Sequence, residues 1–160
     1  MSKKIEQLVE NLSLLLKDKG LMLSTAESCT GGLIAAAITN RAGSSQIFDR
    51  GYVTYSNQAK QEMLSVTEDI IKNYGAVSSE CASSMVEGAL KNSSADLAVS
   101  VTGIAGPDGG SAEKPVGLVY FGVTSKSRGV KTFECHFKGS RHEIRRQSVI
   151  FALETLIDYV

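Results

Sequence analysis

Apolar residues in the first twenty positions recur at helical spacing. Ile5, Leu8, Val9, Leu12, Leu15 and Leu16 share one face of a helix predicted over 3–19, and Gly20 ends the pattern. Residues 21–26 form a short apolar run that reads as a strand. A turn at 27–30 then leads into GGLIAAAITN, an alanine-rich helix with the composition of a buried one. GYVTYS at 51–56 alternates and is rich in aromatic and β-branched residues, as a strand is. Asn57 is placed to cap the helix AKQEML, Thr67 to cap EDIIKNYG, and Ser79 to begin a longer helix reaching about Asn92. DLAVSVTG at 96–103 is almost continuously apolar, the pattern of a strand covered on both faces. The loop at 104–115 carries both prolines, and two strands at 116–125 and about 130–137 follow, joined by a turn at 126–129. Ser140 and Glu143 have capping-box spacing for a last helix with Ile144, Val149, Ile150, Leu153, Leu156 and Ile157 inward. The order α-β-α-β-α-α-α-β-β-β-α predicts a single α/β domain over 1–160, with helices covering a mixed sheet.

Charge narrows the classes of partner. Lysine plus arginine equals aspartate plus glutamate, at 17 each, so the large basic excess of a nucleic-acid or membrane-surface protein is missing. The three cysteines, Cys29, Cys81 and Cys135, form no CxxC pair and are odd in number. That argues against a disulfide framework or structural zinc and for a reducing, cytoplasmic setting. Glu6, Gln7, Glu10 and Asn11 interrupt the apolar core that a signal peptide would need, and no run approaches a membrane span.

Four segments can carry chemistry. The first, Ala26-Glu27-Ser28-Cys29-Thr30-Gly31-Gly32, lies where a strand turns into a helix. A serine at that corner projects its hydroxyl from the sheet edge, and helix N-terminal N–H groups can hold an oxyanion or a phosphate. The plainer alternative makes Ser28 or Thr30 an N-cap and the glycines a packing device. Cys29 is a rival nucleophile, because helix N-termini activate thiolates. The second segment, YSNQAK, puts Tyr55 at a strand end and Lys60 in the first turn of a helix, where the dipole and burial both disfavour its charged form. A neutral amine is what a base for serine requires; a solvated lysine beside a core tyrosine is the alternative. The third, TGIAGPDGG at 102–110, follows the most apolar strand and matches no nucleotide-binding glycine motif. It is a substrate loop or a simple turn. The fourth is the cationic group Arg141, His142, Arg145 and Arg146 in the first turns of the last helix, where cations oppose the dipole. A substrate phosphate, Glu143 or an acidic partner can compensate them, or they line a wet helix face. His136 and His142 are the only histidines, and no metal-ligand spacing exists.

Taken together, LSTAESCTGGLIAAAIT, AGSSQIFDRGYVTYSNQAK, YGAVS and VSVTGIAGPDGGSAEKPVGLVYFGV resemble the C-terminal domain family of competence-damage-inducible protein A (CinA), from about Leu12 to Leu156. Stand-alone members of that family are nicotinamide-nucleotide amidases. Larger relatives add an N-terminal domain of molybdopterin-binding type, which this chain is expected to lack. The resemblance implies a three-layer α/β/α domain. It implies hydrolysis of nicotinamide mononucleotide to nicotinic acid mononucleotide and ammonia, without metal or organic cofactor. The implied catalytic residues are Ser28, Tyr55 and Lys60. Lys60 takes the Ser28 proton directly or through Tyr55, and N–H groups near Thr30–Gly32 or Gly103 hold the oxyanion. Thr30, Gly31, Gly32, Ser45, Thr102, Gly103, Gly106 and Arg145 are the candidate substrate contacts. A homo-oligomer is compatible with these expectations. The alternative is a nucleotide-binding or protein-interaction module of the same fold without turnover.

Overall fold

The computed structural model describes residues 1–160. Its elements are α1 (Lys3–Lys19), β1 (Leu23–Glu27), α2 (Leu33–Thr39), β2 (Phe48–Val53), α3 (Asn57–Leu64), α4 (Glu68–Tyr74), α5 (Ser79–Lys91), β3 (Leu97–Gly103), β4 (Leu118–Ser125), β5 (Lys131–His136) and α6 (Arg141–Tyr159), with a short 3-10 turn at Ser44–Gln46. The strands form one mixed sheet in the order β2-β1-β3-β4-β5. β1 is parallel to β2 and β3, while β3, β4 and β5 are antiparallel neighbours. This is the expected element order, with helices on both faces.

The sheet separates two cores. On one face Leu23, Leu97, Val99 and Val101 meet the apolar sides of α1, α2 and α6, through residues such as Leu12, Ile38 and Leu153. On the other face small residues let α5 lie close. Ala26 and Ala98 pack against Met85 and Val86. The buried hydroxyls of Ser24 and Ser100 donate to the α5 carbonyls of Ala89 and Ala82. Burying a hydroxyl without a partner is costly, so these bonds fix how α5 sits along the sheet. The nearly apolar reading of β3 has this two-sided cover as its cause.

Several boundaries differ from the sequence pattern. β1 begins two residues later than expected and includes Glu27, whose side chain is buried rather than part of a turn. β2 begins at Phe48 and ends at Val53, three residues ahead of the predicted span. It is an edge strand, and the charged pair Asp49–Arg50 hides it from a hydropathy pattern. Ser56, not Asn57, caps α3, its hydroxyl accepting from the Ala59 N–H. The Ser140–Glu143 capping box opens α6 as expected. No helix is long and apolar enough to cross a membrane.

The end of α3 lies tightly against α5. A Cβ added at Gly88 would overlap the Leu64 carbonyl oxygen. Gly88→Ala should therefore destabilise the protein by about 1–3 kcal/mol, the usual range for overpacking, although alanine alone favours a helix by roughly 1 kcal/mol. Urea denaturation checks this; a variant as stable as the parent would show that α3 and α5 do not meet so tightly.

Candidate active site

The parallel strands β1, β2 and β3 deliver their carboxyl ends to one edge of the sheet. The connections leaving β1 and β2 cover opposite faces there, α2 on one and α3 on the other, the arrangement that opens a crevice in α/β sheets. A cleft of about 280 Å³ lies at that edge. Ser28 and Cys29 line it from the β1–α2 corner, Tyr55 and Lys60 from the β2–α3 connection, Thr102, Gly103, Gly106 and Asp108 from the loop after β3, and Arg141 from α6.

Lys60 is only 1% exposed. Its Nζ lies 3.0 Å from Ser28 Oγ, 2.7 Å from the Thr54 carbonyl oxygen and 3.4 Å from that of Tyr55. Burial pulls the amine below the ordinary lysine range, opposed by the nearby Cys81 and Cys29 thiols. The backbone closes a ring around this amine. The Thr54 N–H donates to the Glu27 carbonyl at 2.9 Å, and the Ser28 N–H donates to the Val101 carbonyl at 3.0 Å. Ser28 and Thr54 are thus both tied to strand ends, and their separation matches the reach of one amine.

Glu27 sets the corner, and the sequence pattern had left it in a turn. Its carboxylate is 1% exposed and accepts the N–H groups of Ile34 at 2.9 Å and Ala35 at 3.0 Å. It therefore does the work of an N-cap for α2 from seven residues upstream. Neither Ser28 nor Thr30 caps that helix; the N-cap position is Gly32, at φ 96°. Gly31 also has positive φ, 58°, which a side chain would resist. The Gly31 and Leu33 N–H groups bond back to Ser28 and Thr30 carbonyls, whereas those of Cys29, Thr30 and Gly32 donate to no backbone group.

The other candidates divide. Thr102, Gly103 and Gly106 line the cleft, with the Thr102 hydroxyl donating to the Ala76 carbonyl. The Thr30 side chain is fully buried behind it, its hydroxyl without a partner. Arg145 does not line the cleft. Its guanidinium donates to the Cys29 and Thr30 carbonyls at 3.0 and 3.2 Å and so clamps the loop that carries Ser28. The cleft's guanidinium is Arg141, donating to the Gly106 carbonyl at 2.8 Å and to the Tyr55 hydroxyl at 3.0 Å. Ser45 sits in the 3-10 turn before β2, at the opposite end of the parallel strands, so it does not join Ser28 within one chain. Tyr55 offers Lys60 its carbonyl, while its hydroxyl faces Arg141; the direct path from Ser28 to Lys60 is the one present. Burial pushes the Cys29 thiol up to about 11, which disfavours it as a nucleophile. No histidine borders Ser28: His136 pairs with Glu134 at 2.8 Å, and His142 walls a separate groove. That groove, about 480 Å³ between Ile5, Leu33, Ala37 and Val149, is larger but has no hydroxyl bonded to a base.

A three-layer α/β/α domain with a hydroxyl and a buried amine at the carboxyl edge of its sheet is the class that fold and site define. The family model described as the CinA C-terminal domain matches residues 5–160, and the chain belongs to that family. Among its relatives, a protein of Enterobacter agglomerans named nicotinamide-nucleotide amidohydrolase PncC is 52% identical over 155 residues, 97% of this chain and 94% of that one. A putative competence-damage inducible protein of Caldicellulosiruptor bescii is 51% identical over 96% of this chain, which covers 38% of that longer protein. The crystal structure of competence/damage inducible protein CihA from Agrobacterium tumefaciens superposes with a TM-score of 0.97 at 50% identity, covering 99% of this chain and 96% of that one.

The Glu27 arrangement has a measurable weight. Glu27→Gln removes the charge and leaves one α2 N–H facing an amide NH₂. It should cost about 1–3 kcal/mol, the range for a buried donor left unsatisfied. Chemical denaturation at neutral pH tests it, and a loss below about 0.5 kcal/mol, the low end for an N-cap, would mean that Glu27 does not hold α2.

Proposed function

We propose that this chain hydrolyses the carboxamide of nicotinamide mononucleotide to nicotinic acid mononucleotide and ammonia, with Ser28 as nucleophile and Lys60 as its base. That it is a hydrolase of amides follows from its kinship, at 52% identity over nearly its whole length, with a named amidohydrolase. The observation that carries the mechanism is the 3.0 Å contact between Lys60 Nζ and Ser28 Oγ at a buried site.

The hydrogen-bond inventory supports the role of Lys60. A neutral amine has two N–H groups and one lone pair. The Thr54 and Tyr55 carbonyls accept only, and so take the two N–H groups. The lone pair then faces Ser28, whose hydroxyl donates to it. Burial favours this neutral form. Ser28 Oγ attacks the carboxamide carbon as its proton passes to Lys60. The negative oxygen of the tetrahedral intermediate is held by unpaired N–H groups, of which that of Cys29, next to the nucleophile, has the usual place. The N–H groups of Ile34 and Ala35 are already taken by Glu27 and make no contribution. Collapse breaks the C–N bond, and Lys60 returns the proton to the leaving ammonia. Water, deprotonated by the same amine, then cleaves the acyl-serine. Ammonia release from nicotinamide mononucleotide tests the whole reading, and a protein that binds the nucleotide without releasing ammonia is instead a binding module.

Ser28→Ala should abolish turnover, and Lys60→Ala should lower kcat by at least ~10²-fold, the scale of a general base. Lys60→Arg should be nearly as damaging, because arginine does not give up its proton. The working form is the neutral amine. Activity should therefore rise with pH through the Lys60 pKa, and that rise should lie below the ordinary lysine range. A near-normal rate for Lys60→Arg in a steady-state assay would show that positive charge, not basicity, matters.

The phosphate should raise efficiency as well. Free nicotinamide has the same reacting group but lacks remote binding energy to orient it. Two charge-assisted hydrogen bonds of roughly 1.5–3 kcal/mol each correspond to about 10² to 10⁴ in kcat/KM. Arg141, not Arg145, is the guanidinium in the cleft. Arg141→Ala should narrow the gap in kcat/KM between the mononucleotide and its riboside. A riboside as good as the nucleotide would remove the phosphate from the reading.

A further inference from the structure

We propose that the cleft selects a permanently cationic aromatic ring, with Asp108 as its counter-ion and the Tyr55 ring as the surface beneath it. The inference rests on the amidase reading and assigns two residues to the specificity of that site.

Three charged side chains line the cleft: Lys60, Arg141 and Asp108. Lys60 is buried against Ser28 and the Thr54 carbonyl, where it works as a neutral base. Arg141 is held by the Gly106 carbonyl and the Tyr55 hydroxyl and has no acidic partner. Asp108 forms none of the ion pairs in the chain, although the other lining groups are mostly bonded. Its placement is built into the loop. Gly106 and Gly109 on either side of it have φ of 76° and 90°, and a Cβ at Gly110 would lie 2.8 Å from the Val116 nitrogen. The loop is folded down tightly, and Asp108 is left at the cleft. A free carboxylate and a guanidinium at one cleft complement a ligand that carries both a cation and an anion.

Tyr55 supplies the second, independent observation. It is 61% exposed, the most exposed large apolar side chain of the protein. Its hydroxyl is nevertheless fixed by Arg141 at 3.0 Å. The bond is at the ring's edge, so the faces stay free; the cation–ring stack within the chain is Arg128 over Tyr159. An exposed ring face attracts a flat cation whether or not the hydroxyl is held. When the ligand enters, water leaves, and the attraction to Asp108 strengthens as the local dielectric falls. Hydrolysis then adds a carboxylate to the ligand next to the same acid, which weakens the hold on product.

The test uses a Ser28→Ala background, so that ligands bind without turning over, and titration calorimetry. The probes are nicotinamide mononucleotide, benzamide riboside 5′-phosphate and nicotinic acid mononucleotide. The benzamide compound has the same carboxamide and phosphate on an uncharged ring. Asp108→Asn should weaken nicotinamide mononucleotide about tenfold, one 1.4 kcal/mol step. It should leave the benzamide compound within about twofold and weaken the acid product less than the amide, because the product keeps the cationic ring but adds a carboxylate; a merely structural role would move all three together. Tyr55→Leu should reduce the preference for the charged ring, and Tyr55→Phe should keep it. Equal losses for the charged and uncharged rings, or no change in their ratio, would overturn the proposal. An Asp108-dependent preference in a parent protein that releases no ammonia would leave the recognition standing and overturn the hydrolysis.

Discussion

The buried amine of Lys60 is the constraint around which the carboxyl edge of the sheet is organised. An amine 1% exposed has lost its hydration and needs polar partners on every side. Two carbonyls and one hydroxyl supply them, all on segments leaving strand ends. The Thr54 carbonyl is in place because the chain after β2 stays bonded to Glu27, and Ser28 is in place because its N–H is bonded to Val101 of β3. The sheet's parallel half is thus the ruler that sets the distance between the Ser28 hydroxyl and the Lys60 amine. Burial and the N-terminal position of Lys60 on α3 act in the same direction, toward the neutral form.

Glu27 solves the problem next door. A short helix of Leu33–Thr39 starts just after Ser28, and its first N–H groups need acceptors. A cap from Ser28 would turn the hydroxyl toward the helix and away from Lys60. Glu27 takes the Ile34 and Ala35 N–H groups instead, which leaves the Ser28 hydroxyl to the amine. The two glycines between them adopt positive φ, so the backbone turns sharply enough for one acid to reach the helix while the next residue faces the cleft.

Much of this was legible in the sequence because local rules and the fold agree. The amphipathic α1, the doubly covered β3 and the α6 capping box follow from periodicity and spacing. The serine corner and a lysine in a first helical turn were visible as oddities of placement. What escaped has a common cause. Glu27 reads as a polar turn residue, since a buried carboxylate is recognisable only once its donors are placed. The charged pair Asp49–Arg50 hid the start of β2, because an edge strand does not need an apolar pattern on both faces. Ser45 lies close to the other motifs in sequence but at the far end of the strands in space, a distinction that needs the direction of β2. Asp108 looks like a turn residue between glycines, and only the fold brings it to the cleft.

The two arginines of α6 carry the last step. Arg141 and Arg145 are four residues apart and so point from one face of the helix, a single turn from each other. Spacing alone therefore could not decide which one meets a ligand. The loop after β1 decides it. The Cys29 and Thr30 carbonyls point toward the second turn of α6 and take up Arg145, a bond that pins the loop and uses that guanidinium. One turn earlier there is no such loop, and Arg141 extends over the cleft to the Gly106 carbonyl and the Tyr55 hydroxyl, both of which a stronger acceptor can displace. A cation at a helix N-terminus is unfavourable in the resting protein, so an arriving anion gains both the guanidinium and relief of that repulsion. The same helix thus pins the Ser28–Thr30 loop with one turn and holds a guanidinium without an acidic partner over the cleft with the other.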